Sequence, residues 1–524
     1  MGRIKPSPAV NNWNQRLTLL IIGIFAVGGI ALIFYITAVN PWGYSDSAAY
    51  LTTARNIAAG RGIVLQDSNG VYALPKLHSP LFPIVLSLPI ALGAQALAAS
   101  RWLNAILFGL TVFLAGWSTW RFSSSFWLSV STAGLILLSF EPINAYSGAM
   151  SEGLFIFLGL ASLFLLNLGI QQRSNQNRLL ILSGITAGLS ILARYTGLSI
   201  MISGCLAILL FNRGTFWSRL RKMLVFLLPA TFLAALWLAP VYFSTRTFGG
   251  RQINLTGDLA GRISLYFRSF MEVVGGWLPF FYRGNHIITP AQKIVVANLL
   301  LVILVLLTVR KIRKKGQSSG NCELLTWAGI LLIFCASYIL LHLGSFVTGS
   351  VPPDINGRIL LPLFVAGVLL AAALAAFISR LFPKSWIGGL IFCALAVISI
   401  WYFHAQVQLF IFEMRNYGLG YTSKRWVDNP IFDKISTLDA ESKLYSNNPA
   451  LILLYTQRFP KELPIKNPVG SDTDLNIPDD AVFIVFNDPG PGLTQEKLDQ
   501  FEQNLKADYK IVFEDSDGKI YVPE

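Results

Sequence analysis

The sequence predicts an all-α polytopic membrane protein with about eleven transmembrane helices and a small C-terminal α/β domain outside the membrane. Three observations predict it. The 524-residue chain is 54% hydrophobic and 13% charged, with a mean hydropathy of +0.56, more apolar surface than a water-soluble core can bury. Apolar runs near the ~20 residues needed for one crossing recur along the first four-fifths of the chain. Charge is divided unevenly: residues 1–424 hold 31 Lys and Arg against 9 Asp and Glu, and residues 425–524 hold 10 against 18. The overall charge of +14 therefore belongs to membrane flanks and gives no reason to expect a nucleic-acid partner.

The first run, 17–38, follows Arg3, Lys5 and Arg16, and at 22 residues it is longer than a secretory signal core, so it reads as an anchor with a cytoplasmic N-terminus. Further runs lie at 98–120, 126–140, 151–170, 179–193, 195–212, 223–243, 293–309, 324–343, 359–379 and 386–404. A single helix over 179–211 would turn Arg213, Arg219, Arg221 and Lys222 outward. Two short helices turning at Arg194-Tyr195-Thr196-Gly197 keep them inside, as the positive-inside tendency asks. The 80–92 stretch is apolar but short and carries Pro80, Pro83 and Pro89, so it reads as interfacial or re-entrant.

With these choices Arg121, Arg173, Arg178, the 213–222 cluster, the 310–315 cluster, Arg380 and Lys384 all face the cytoplasm. Glu323 falls on the same side, and the other eight acids before residue 425 fall on or near the outer face. Residues 1–424 form the membrane domain, with outer loops at about 39–97 and 244–292. The second loop holds an aromatic and basic segment, 263–271, suited to a helix lying at the lipid interface. Residues 425–524 have the composition of an ordinary domain, with a strand at 481–486, a charged helix at 494–505, and a hairpin of 510–513 with 519–522 turning at Asp517-Gly518.

Scarcity makes each carboxylate of the membrane domain a candidate for chemistry. Asp46 precedes a helical stretch closed by Gly60. As an N-cap it would play a common structural role; held beside the membrane with Ser45 capping, it would serve as a general base. Glu152 opens the helix of the 151–170 run, where a carboxylate also favours the helix dipole. Glu141, before Pro142, marks the end of the preceding helix. Lys76, His78, Arg194 and Arg358 lie at outer ends of membrane elements, at the depth of a lipid phosphate. Their alternative is snorkelling toward anionic lipid; for Arg194, between two short apolar helices, a position facing the bundle or a wet cavity is the better reading. His342 and His404 read as core groups, and His286 is left open. Four cysteines without metal-ligand spacing read as small hydrophobes. No nucleotide loop, zinc pattern or serine-hydrolase elbow is present.

Taken together, Asp46 in the first outer loop, Leu77-His78-Ser79-Pro80-Leu81-Phe82-Pro83, Ala149-Met150-Ser151-Glu152, the 188–197 segment through Arg194, Arg358-Ile359-Leu360-Leu361-Pro362 and Leu444-Tyr445-Ser446-Asn447-Asn448-Pro449 make the chain resemble the GT-C superfamily of membrane glycosyltransferases, which includes protein O-mannosyltransferases and aminoarabinose transferases. The resemblance covers nearly the whole chain through short motifs. It implies a GT-C fold in a bacterial plasma membrane, with the C-terminal domain extracytoplasmic. It also implies transfer, with inversion, of a sugar from a polyprenyl-phosphate carrier to a lipid, glycan or protein acceptor on the outer side. Asp46 would be the general base and Glu152 a second acid that orients acceptor or donor. Arg194 and Arg358, with Lys76 and His78, would hold the lipid phosphate. Relatives often have two prolines after the Lys or His of the short apolar motif, where this chain has His78-Ser79-Pro80. Some bind a divalent metal near first-loop acids; here Asp46 and Asp67 are the only carboxylates in that loop, and they decide for neither case. Two rival classes stand beside this reading: a transporter or flippase, which would place charges near the midplane of several helices, and a non-catalytic glycan-assembly component.

Overall fold

The computed structural model describes residues 12–67, 70–172, 174–246, 258–277, 319–349, 354–381, 386–439, 442–465, 480–490, 493–506 and 508–524. Packing divides the chain into two compact units: Met1–Ile36 with Arg101–Phe412, and Thr37–Ser100 with Glu413–Glu524. The first outer loop thus shares a unit with the C-terminal domain, whereas the boundary expected at 424/425 sets them apart.

The first unit is a helical bundle. Among the described residues seven helices are long and apolar enough to cross a membrane, or eight if the bent pair Phe126–Leu138 and Phe140–Tyr146 is one span. The expected eleven are not reached by that measure. The 179–193 and 195–212 runs do form two helices, Gln176–Ala193 and Leu198–Phe211, joined through Arg194 and a short 3-10 turn, Tyr195–Gly197. At 14 residues the second of these is only ~21 Å long, against ~30 Å of hydrocarbon. The 293–309 run lies outside the described residues.

The helix Gln176–Ala193 is sandwiched between Glu152–Gln171 and Phe216–Thr245, and two devices bring the backbones close. Ser162 and Ser183 exchange hydrogen bonds, each hydroxyl donating 2.9 Å to the other's carbonyl. Gly184 and Gly188, four residues apart, lie on the backbone of Phe226 and Ala230, where any Cβ would collide. Small residues allow the close approach on which helix association in lipid depends.

The helix Gly357–Leu381 shows how charge sorts along the bundle. Near its C-terminus Arg380 donates to the carbonyls of Phe122 and Ser123, the last residues of the helix Ala96–Ser123. Beside them Arg121 pairs with Glu323 at 2.9 Å. At its N-terminus Arg358 meets Glu152. Twenty-two residues of helix, ~33 Å, separate the two arginines. Glu323 therefore stands at the opposite end of the bundle from Glu152, the sorting that the loop charges predict.

In the second unit β1 Leu65–Gln66 pairs antiparallel with β2 Tyr72–Ala73, and a five-stranded sheet has the order β4-β3-β5-β7-β6, with β3 Lys443–Ser446, β4 Lys461–Glu462, β5 Ala481–Phe486, β6 Tyr509–Glu514 and β7 Gly518–Pro523. β3 runs parallel to β4 and β5, and β7 antiparallel to β5 and β6. Strand β5 is apolar throughout because both its faces are covered. Val482, Ile484 and Phe486 pack with Ile431, Phe432, Leu451 and Ile452 on one side, and Ala481, Phe483 and Val485 with Leu498 and Leu505 on the other.

The first loop is fastened to this domain by its backbone. Gly43 bridges Gly420, Tyr421 N–H donates to Gly43 O at 2.7 Å, and Thr422 Oγ1 donates to Pro41 O at 2.6 Å. The helix Ser45–Ala58 packs on Leu81–Ala91 and on Pro449–Thr456. Arg55 donates 2.7 Å to Leu454 O near the C-terminus of Pro449–Thr456, where a cation also meets the negative end of the helix dipole. Burial lowers the pKa of Arg55 from its ordinary value. The 80–92 stretch is the eleven-residue helix Leu81–Ala91, too short to cross.

Candidate functional site

The predicted site residues fall into two groups, one in each unit. In the bundle, Glu152 begins its helix with only 2% of its surface exposed. Arg194 Nη1 lies 2.7 Å and Arg358 Nε 3.3 Å from the same oxygen, Oε1. Both are charge contacts without the alignment of directed hydrogen bonds. Arg194 reaches this place because its backbone is extended, at φ −153° and ψ 137°, between the two short helices. Arg358 is the second residue of its helix and also lies 3.7 Å from Met150 Sδ.

The backbone around Arg358 is pinned on both sides. Tyr338 donates its hydroxyl to Ile359 O at 2.6 Å. The Glu141 carboxylate lies against Gly357, where a side chain would collide with it, and accepts a 3.3 Å hydrogen bond from Trp277 Nε1. Trp277 directly follows the helix Leu259–Gly276, which realises the expected second-loop helix. That helix docks through Tyr266, fully buried against His342 and Phe346, and through Arg262, which donates to Val347 O and Gly349 O. His342 is a core residue as expected; His404 is exposed, and His286 lies outside the described residues.

Away from Glu152 and Arg358 the same helices line an apolar gap. Phe155, Ile156 and Leu160 face Pro362, Val365 and Ala366 across it. Two partly exposed guanidiniums on a buried carboxylate stand at one end of these helices, and hydrocarbon walls follow within one to two turns.

In the second unit Asp46 is in the first turn of its helix, but Tyr44 occupies the N-cap position. Neither expected cap, Ser45 or Asp46, is used; Ser47 Oγ accepts from Tyr44 N–H instead. Asp46 Oδ1 lies 3.3 Å from His78 Nε2, with the Asp46 side chain 42% and the His78 side chain 21% exposed. Lys76 is exposed two residues earlier. Sequence reasoning named all six of these site residues. It missed Tyr338, Trp277 and the contact of Glu141 with Gly357, because a tyrosine or tryptophan in an apolar run carries no mark of its partner. Among the described residues no group of three or more potential metal ligands is gathered.

No protein-family model and no curated protein matches the sequence. Solved structures do match. The oligosaccharyltransferase AglB from Archaeoglobus fulgidus, in complex with an inhibitory peptide and a dolichol-phosphate, is 14% identical, with 90% of this chain and 69% of that chain covered and a TM-score of 0.50. An Archaeoglobus fulgidus oligosaccharyltransferase in the apo form is also 14% identical, covering 95% of this chain and 74% of that one, with a TM-score of 0.51. The chain has a GT-C fold. ArnT from Cupriavidus metallidurans, bound to undecaprenyl phosphate, matches over 95% of this chain and 97% of its own at 14% identity and a TM-score of 0.45. At this identity the likeness is one of fold, and the chemistry of the GT-C site has to be argued from its residues.

Proposed function

We propose that this GT-C protein is an inverting glycosyltransferase that moves a hexose or pentose from a polyprenyl-phosphate carrier to an acceptor on the extracytoplasmic face of the membrane. The observation that carries the reading is the pair Arg194 and Arg358 held on the buried Glu152 carboxylate. A sugar phosphodiester bears one negative charge, and its phosphate gains a second as the sugar departs. Two guanidiniums gathered on one carboxylate are placed to meet that developing charge. The archaeal neighbour's complex contains a dolichol-phosphate, a ligand of the same chemical class.

The acceptor oxygen attacks the anomeric carbon opposite the phosphate, the bond from that carbon to the phosphate oxygen breaks with its electron pair, and Asp46 accepts the acceptor's proton. Glu152 orients the arginines, Lys76 adds positive charge at the phosphate, and the apolar gap that begins about one turn beyond Arg358 receives the isoprenoid tail. The N-terminus is cytoplasmic, the end of the bundle bearing Arg121 and Arg380 is the inner one, and the remaining spans of the predicted eleven complete the membrane domain.

Membranes containing the full-length protein, supplied with a panel of labelled polyprenyl-phosphate hexoses and pentoses, are expected to transfer label from at least one donor, with inversion. Asp46→Asn is expected to lower that transfer by at least about 100-fold. Equal transfer by a well-folded Asp46→Asn protein would remove Asp46 as the base. Movement of intact donor across sealed vesicles without bond cleavage would make the protein a flippase.

A further inference from the structure

We infer that His78 is a positioning residue for Asp46, and no ligand of the lipid phosphate. This rests on the reading of Asp46 as the base. Its own support is the geometry of the pair.

Asp46 and Tyr50 stand four residues apart on the helix Ser45–Ala58, on one face. His78 spans them. Its Nε2 lies 3.3 Å from Asp46 Oδ1, and its ring meets the Tyr50 ring edge-on with centroids 5.2 Å apart. Tyr50 is braced in turn by the fully buried Phe82, at 5.4 Å and again edge-on. The His78 backbone is tied down by its N–H donating 3.0 Å to Pro75 O. The imidazole is thus wedged by aromatic packing with one nitrogen at the carboxylate, while the Asp46 side chain is twice as exposed as the histidine behind it.

With its hydrogen on Nε2, His78 donates to Oδ1 and fixes the rotation of the carboxylate. A base held in the right orientation before the acceptor arrives avoids reorganisation during the reaction. Other charged and polar groups stand on the neighbouring segments. Arg55 is bonded to Leu454 O, Lys76 is exposed, the helix Leu81–Ala91 has no ionisable side chain, and Tyr455 on the helix Pro449–Thr456 donates to Tyr421 O.

The test compares His78→Ala and His78→Gln with the parent and with Asp46→Asn, using full-length protein in nanodiscs and the labelled donor panel with glycerol as the acceptor. His78→Ala is expected to lower kcat roughly tenfold or more and leave donor KM within about twofold. The acid limb of its pH profile is expected to move to higher pH, because the carboxylate loses a donor that favours its ionised form. Glutamine, which can place an N–H near the Nε2 position, is expected to restore most of the rate. A raised donor KM with kcat intact would make His78 a phosphate ligand and overturn the inference, as would an unmoved pH profile.

A second measurement needs no turnover. Histidine nitrogen NMR of the same nanodiscs, with four histidines in the chain and His78 assigned by its substitution, should show the His78 signals shift in Asp46→Asn. Unchanged signals would overturn the pairing. Activity retained by Asp46→Asn, with those signals shifted, would refute Asp46 as the base and leave the pair itself standing.

Discussion

The carboxylates of the two units are held in opposite ways. Glu152 is buried at the end of the bundle with two arginines on one oxygen, whereas Asp46 is nearly half exposed with a histidine beside it. In a low-dielectric site charge contacts are strong and an unpaired ion is costly, so the Glu152 cluster fixes its own geometry. Near water the same contacts are screened, and Asp46 depends on the packing of His78 and Tyr50 for its orientation. The first arrangement suits fixed groups that meet charge; the second suits a group that must reach a substrate and change protonation.

Asp46→Asn gives the largest effect that would sharpen this contrast. Transfer is expected to fall by roughly 100-fold to 10,000-fold, the range for loss of a general base, while thermal unfolding in detergent stays near that of the parent. A large loss of stability would place Asp46 among the structural ions. Arg358→Ala should do the reverse. It removes one of the two cations on Glu152 and leaves the carboxylate paired with Arg194 alone, and the expected destabilisation is about 1.5–3 kcal/mol, the range for one charged contact, read by thermal unfolding, together with impaired transfer. Unchanged stability would break the comparison by showing that water reaches Glu152.

Arg55→Ala tests the unit that carries Asp46. Removing a half-buried charged donor from Leu454 O is expected to cost about 1.5–3 kcal/mol, with protease susceptibility rising first in the first loop and the C-terminal domain. Cleavage confined to the membrane bundle's connections would contradict that grouping. The smallest effect is expected for Arg121→Ala. Its pairing with Glu323 is partly exposed on both sides and is expected to contribute at most about 1 kcal/mol, diminishing in salt. A salt-independent loss would show a pair more enclosed than its exposure indicates.

Much of the fold was legible because it follows from local rules. Apolar runs gave the helices, Arg194-Tyr195-Thr196-Gly197 marked the break between two short ones, and the continuous apolar run 481–486 and the Asp517-Gly518 turn located the sheet. Span counting was less secure, since run length alone does not tell a short packed helix such as Leu198–Phe211 from a crossing. The Gly184 and Gly188 contact was missed although its four-residue spacing is visible, because spacing does not name the facing helix. Of the candidate site, the residue types were legible and the partners were not. Glu152 looked like a helix-dipole carboxylate until Arg194 and Arg358 were found on it, and the cap expected at Ser45 or Asp46 belongs to Tyr44.

The sequence by itself determined that this chain enters a membrane, where its helices run, which few acids were worth following and which basic residues could meet an anion. Composition and periodicity act through neighbours in the chain, so those conclusions needed no coordinates. Only the tertiary structure decided that Glu152 compensates two arginines, that Glu141 holds the start of the Gly357–Leu381 helix, that His78 stands behind Asp46, and that the first loop is built into the C-terminal unit. Each of these joins residues tens to hundreds of positions apart, and the Coulomb and packing energies that join them depend on distance in space and on burial.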